Sequence, residues 1–243
     1  MKVSTDFNIK QAFILKAAHL KEIWDSLNTN IGDTTIQAYC EDGVNRNFDS
    51  LTALLTYSNP RNATIRSITF RARSDNYDKS ARIVFANDTW GPIRWEAEGP
   101  ESIVVSLKDD FLRSISRTKA WYDWLARLDI FWLIYGIGIS AYVILLLLIA
   151  LRIIGSDEPK NETENPREQA IGGLIGFGAI GSLAFVGLLI SRIRTRLFPI
   201  GTFLWGDAAE HHVFLEKIRW TVIVGFIVSL LAGIVGSIVI NLA

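Results

Sequence analysis

Four arginines carry the clearest chemical pattern in the chain. Ile68, Phe70 and Ala72 alternate with Thr69, Arg71 and Arg73. Ala81, Ile83 and Phe85 alternate with Arg82 and Val84, and Ile93, Trp95 and Ala97 alternate with Arg94, Glu96 and Glu98. Alternation with a period of two is the mark of a strand with one buried face, so the arginines should share the polar face of neighbouring strands. A guanidinium is a planar fork of donors that grips phosphate oxygens in pairs. Arg71, Arg73, Arg82 and Arg94 therefore predict a surface able to bind an anionic ligand such as a nucleotide or a lipid headgroup. Glu96 and Glu98 stand on the same face, and the other readings of these residues are a solvated face or a contact for a protein partner.

A second group, Asp207, Glu210, His211, His212 and Glu216, lies within one short stretch. Asp207 and His211 are four apart, as are His212 and Glu216, so each pair shares a helix face. Two ligands do not make a metal site, and the group reads as a solvated helix face, with a pH-sensitive or interface role for the histidines as the alternative. No metal and no cofactor is expected. Phosphate-binding loops, G-x-S-x-G, H-E-x-x-H and C-x-x-C are all absent from the sequence, so no enzyme is expected. Cys40 is the only cysteine, which excludes an intrachain disulfide and a cysteine-based zinc site. Lys and Arg number 25 and Asp and Glu 25, so bulk charge gives no case for nucleic acid.

Residues 1–120 read as an α+β domain with a mainly antiparallel sheet flanked by helices. A first helix is expected over Ile9–Leu27, with Phe13, Ala17, Leu20, Trp24 and Leu27 as its core stripe. A strand over Thr34–Tyr39 follows, then a short helix capped by Asp49 or Ser50 and a turn at Asn59-Pro60. The three alternating runs form a meander. A short run over Ile103–Leu107 and a helix over Asp109–Thr118 complete the domain.

Residues 121–243 read as an all-α membrane domain, because 130–151, 171–190 and 220–242 carry no charge. At about 1.5 Å per residue each run can cross a hydrocarbon core of about 30 Å. Arg113, Arg117, Lys119 and Arg127 precede the first run, and Arg192, Arg194, Arg196, Lys217 and Arg219 lie between the second and third. This asymmetry places the N-terminal domain and the segment 191–219 in the cytosol and the C-terminus outside, in a bacterial inner membrane. Phe198, Phe203, Leu204 and Trp205 read as a stretch lying on the membrane surface, and a helix should start near Asp207. Asn161-Glu162-Thr163 is a glycosylation sequon in the outer loop.

Gly225, Ser229, Gly233, Ser237 and Asn241 recur every four residues, and Gly172 and Gly176 share that spacing. Such stripes let helices approach closely, and here they predict packing within one chain, between subunits, or a polar pore face. The layout resembles bacterial membrane effectors in which a cytosolic sensor is fused to a small helical bundle. The expected function is an oligomeric membrane effector or channel-like protein governed by its cytosolic domain, in contact with membrane lipid. The alternatives are an anchor that recruits a cytosolic protein partner, and a tethered sensor of an anionic ligand.

Overall fold

The computed structural model describes the backbone of residues 1–154 and 166–242. Side chains there are described except at 130–131, 141, 145–146, 148–154, 166–180, 183, 227, 230–231 and 234–242. The strands are β1 (Lys2–Ile9), β2 (Phe13–Lys16), β3 (Asp33–Cys40), β4 (Asn45–Phe48), β5 (Ile65–Arg73), β6 (Ser80–Ala86), β7 (Ile93–Pro100) and β8 (Gly201–Leu204). The helices are α1 (Ala17–Asn30), α2 (Leu51–Thr56), α3 (Glu101–Ser116), α4 (Asp123–Arg127), α5 (Ile130–Ile154), α6 (Pro166–Leu197) and α7 (Asp207–Leu242). They form two compact units, one of Met1–Arg127 with Leu197–Ala243 and one of Leu128–Arg196.

In the first unit, six antiparallel strands lie in the order β1-β7-β6-β5-β3-β4. The three alternating runs form β5, β6 and β7 as the sequence predicts, with Ile68, Phe70, Ile83, Phe85, Ile93 and Trp95 buried on one face. Helices α1 and α3 cover that face through Leu20, Ile23 and Leu27 and through Val104, Leu107, Phe111 and Ile115. Phe7 stacks on Trp95 at 4.9 Å, and Trp95 on Phe111 at 6.2 Å. Each such side chain removed from water contributes about 1.5–3 kcal/mol. Ser50 caps α2, its hydroxyl accepting from the Ala53 amide at 3.1 Å.

Two local expectations differ from the structure. The first helix begins only at Ala17, because residues 2–9 alternate Val3, Thr5, Phe7 and Ile9 inward and form edge strand β1. Phe13, expected on that helix, lies in β2, where the residue pairs parallel with Gly201 of β8. Ile103–Leu107 is the first half of α3, whose apolar stripe keeps helical spacing from Val104 to Ile115.

The segment after α6 returns to this unit. Phe203 and Trp205 are buried in the main core, and Phe198 and Ile200 join Ala12, Ala120, Tyr122 and Ala126 in a second core. The expectation of a membrane-surface stretch at Phe198, Phe203 and Trp205 is therefore corrected: these rings have partners inside the protein. Asp123 holds the second core in place. Its carboxylate accepts from the Ala12 amide at 2.7 Å and from Arg127 Nη2 at 2.7 Å.

The runs expected to span a membrane do fold as helices α5, α6 and α7. Among the described residues, however, no helix is long and apolar enough to cross a membrane. This overturns the expected all-α membrane domain of three transmembrane helices and the integral inner-membrane placement drawn from it. The physical reason lies in the described turns. Those of α6 carry Arg192, Arg194 and Arg196, and those of α7 carry Asp207, Glu210, Glu216, Lys217 and Arg219. Described apolar side chains on these helices are exposed, among them Ile137, Phe185 and Phe226.

Candidate functional site

The outer face of the six-stranded sheet carries no helix from its own unit, and register fixes what it displays. Asp6 of β1 stands opposite Glu96 of β7, Glu96 opposite Arg82 of β6, Arg82 opposite Arg71 of β5, and Arg71 opposite Thr35 of β3. The next row runs Ser4, Glu98, Ser80, Arg73 and Asp33. Carboxylates therefore occupy β1 and β7, and arginines occupy β6 and β5. These rows floor an open groove of about 950 Å³ whose lining includes Asp6, Arg71, Arg73, Tyr77, Arg82 and Glu96.

The arginines are only partly neutralised. Arg82 Nη1 is 3.7 Å from Glu96 Oε2, beyond hydrogen-bonding distance. Glu98 is taken by Lys2 at 2.7 Å. Arg73 lies over the Tyr77 ring at 5.0 Å. Arg71 makes no ion pair among the described residues, and its cross-strand neighbour is another arginine. Like charges directly opposite on adjacent strands destabilise a sheet by roughly 0.2–1 kcal/mol. Tyr77 stands in the β5–β6 loop with φ of 56°, and the same loop is tied by the Ser74 hydroxyl donating to Asp78 at 2.5 Å. That hydrogen bond holds the Asp78 carboxyl below the usual range.

Of the four arginines read from the sequence, the structure gathers Arg71, Arg73 and Arg82 along one groove. Arg94 shares their face but stands one row further along, between Asn8 and Val84, and does not line the groove. Asp6, Asp33 and Tyr77 join the site without having been anticipated. The signal for Asp6 was the period-two alternation of residues 2–9.

In the Asp207–Glu216 group, Asp207 and Glu210 are exposed, while His212 turns inward. His212 is buried, with Nε2 3.5 Å from Arg219 Nη1 and Nδ1 3.8 Å from Glu216. Arg219 is fully buried; it donates to the Leu197 carbonyl, lies 4.6 Å over the Tyr122 ring, and leaves Nη2 without a partner among the described residues. His211 Nδ1 is 3.2 Å from Arg61 Nη2. Burial and then the adjacent guanidinium push both histidines below their ordinary value. Among the described residues no group of three or more His, Cys, Asp or Glu could hold a metal ion.

In the small-residue stripe, a methyl built on Gly225 or Gly233 meets nothing within 4 Å. The Ser229 hydroxyl donates back to the Gly225 carbonyl at 2.8 Å, within its own helix. The surroundings of Gly172 and Gly176 and the side chains of Ser237 and Asn241 are not among those described, and the Asn161 sequon lies outside the described residues. No family model, no curated protein and no solved structure matches this chain.

Proposed function

We propose that the chain is a non-enzymatic sensor that binds an anionic, phosphate-bearing ligand on the open face of its antiparallel sheet. One observation carries this reading. Arg71 and Arg82 are held side by side on adjacent strands, and Arg71 has no counter-ion among the described residues although Asp6, Asp33 and Glu96 line the same groove. A fold that keeps two guanidinium groups together at a cost to its sheet gains that cost back when an anion bridges them. Charge-assisted contacts of this kind contribute about 1.5–3 kcal/mol each. Arg73 and Tyr77 at the groove's end give a further cation and a ring for the body of the ligand. The test is calorimetric titration of the purified full chain with inorganic pyrophosphate, beside the Arg71→Ala/Arg82→Ala variant. Binding lost in the variant supports the reading, and absence of binding by the unaltered chain removes it.

A further inference from the structure

The groove's charges are arranged to fit a second copy of the same face. Across one row they run Asp6 (β1), Glu96 (β7), Arg82 (β6), Arg71 (β5), acid to base in equal steps of one strand. A two-fold axis parallel to the strands and lying between β7 and β6 reverses that order while keeping each row level. It brings β1 over β5 and β7 over β6 of the second copy. Asp6 then faces Arg71, and Glu96 faces Arg82, each pair occurring twice. In the adjoining row Ser4 faces Arg73, and Glu98, already paired with Lys2, faces Ser80. Arg94 falls over Val84 and meets no like charge.

We infer that this chain forms a two-fold dimer through its open sheet face, and that the anionic ligand of the proposed function dissolves it by taking Arg71 and Arg82. The inference rests on the reading of the groove as an anion site and names how that site is regulated. The dimensions agree with it. Sheets stack about 10 Å apart, the span of an extended arginine meeting an aspartate or glutamate. The four strands, at about 4.8 Å each and about 3.3 Å per residue, cover about 500 Å² per chain. Twice that area is the lower bound of specific interfaces, so the dimer is weak and exchanging. Exposed Arg–carboxylate pairs are screened by salt, so association falls as ionic strength rises.

Charge reversal tests it. Arg71→Glu/Arg82→Glu makes the row from Asp6 to residue 71 acidic throughout, and Asp6→Arg/Glu96→Arg makes the same row basic throughout. Sedimentation of the full chain at low ionic strength should show a dimer for the unaltered protein, and each variant should associate at least about thirtyfold more weakly. An equimolar mixture of the two variants should regain the dimer, which a merely misfolded variant cannot do. Asp6→Asn/Glu96→Gln, with no reversed charge, should weaken association while keeping the circular dichroism of the unaltered chain. Added pyrophosphate should convert the unaltered dimer to monomer. An association state indifferent to both reversals, or a mixture that stays apart, overturns the inference. A monomer that still binds pyrophosphate sinks the dimer and leaves the anion site standing. A dimer that forms through the charges but ignores pyrophosphate sinks the anion reading instead.

Discussion

Among the described glycines of the first unit, Gly206 should be the most sensitive, and its cost can be worked from the structure. Its φ is +58°, and a methyl built there would lie 2.2 Å from the Ser58 carbonyl oxygen. That carbonyl accepts from the Asp207 amide at 2.8 Å, the bond that seats the start of α7. Gly206→Ala therefore pays about 1–2 kcal/mol for a left-handed backbone, and must also push the carbonyl away. Losing that hydrogen bond adds about 0.5–1.5 kcal/mol. A total near 2–3 kcal/mol lowers the melting temperature by roughly 4–12 °C for a chain of this size. Two further substitutions separate the causes. Gly43 has φ of +79° with nothing within 4 Å, so Gly43→Ala should cost only the backbone part. Gly225 is helical with nothing within 4 Å, so Gly225→Ala should stabilise by about 0.5–1 kcal/mol. Thermal unfolding followed by near-ultraviolet circular dichroism gives the ranking. Gly206→Ala melting with or above Gly43→Ala would refute the seating of α7 against Ser58.

Asp123→Ala should destabilise by about 2–4 kcal/mol, since it strands the buried Ala12 amide as well as releasing Arg127; urea unfolding measures it. His212 gives a pH dependence. Its folded value is lowered, first by burial and then by Arg219, with Lys16 and His211 adding to the effect and Glu216 opposing it. The folded state thus favours the neutral ring, so its contribution is complete above the ordinary value of 6.5 and is lost as pH falls through the lowered folded value. His212→Gln should flatten the decline in melting temperature below that point, and an unchanged acid limb would remove the assignment.

What the sequence makes legible is whatever local periodicity determines. The alternating runs give β5, β6 and β7, and the apolar residues they bury are the ones expected. Ser50 caps where its type and place demand, and α7 begins at Asp207. The pairing of β2 with β8 joins residues far apart in the chain, and no local pattern announces it. The same distance hid the fate of Phe198, Phe203 and Trp205. An aromatic-rich stretch beside arginines has the same composition whether it lies on a surface or fills a core. Long uncharged runs read as spans on hydropathy alone, yet among the described residues no helix is long and apolar enough to cross a membrane. The candidate site was half legible. Alternation puts four arginines on one face, but only strand register shows that Arg71 stands opposite Arg82 while Arg94 stands opposite Asn8 and Val84.

The most direct measurement of the central claim is the affinity of the full chain for inorganic pyrophosphate as a function of salt, with and without Arg71 and Arg82. The unaltered chain should bind, more weakly as ionic strength rises, and Arg71→Ala/Arg82→Ala should lose at least about tenfold in affinity while Arg94→Ala binds as the unaltered chain does. No binding by the unaltered chain, or equal loss on replacing Arg94, would contradict the account.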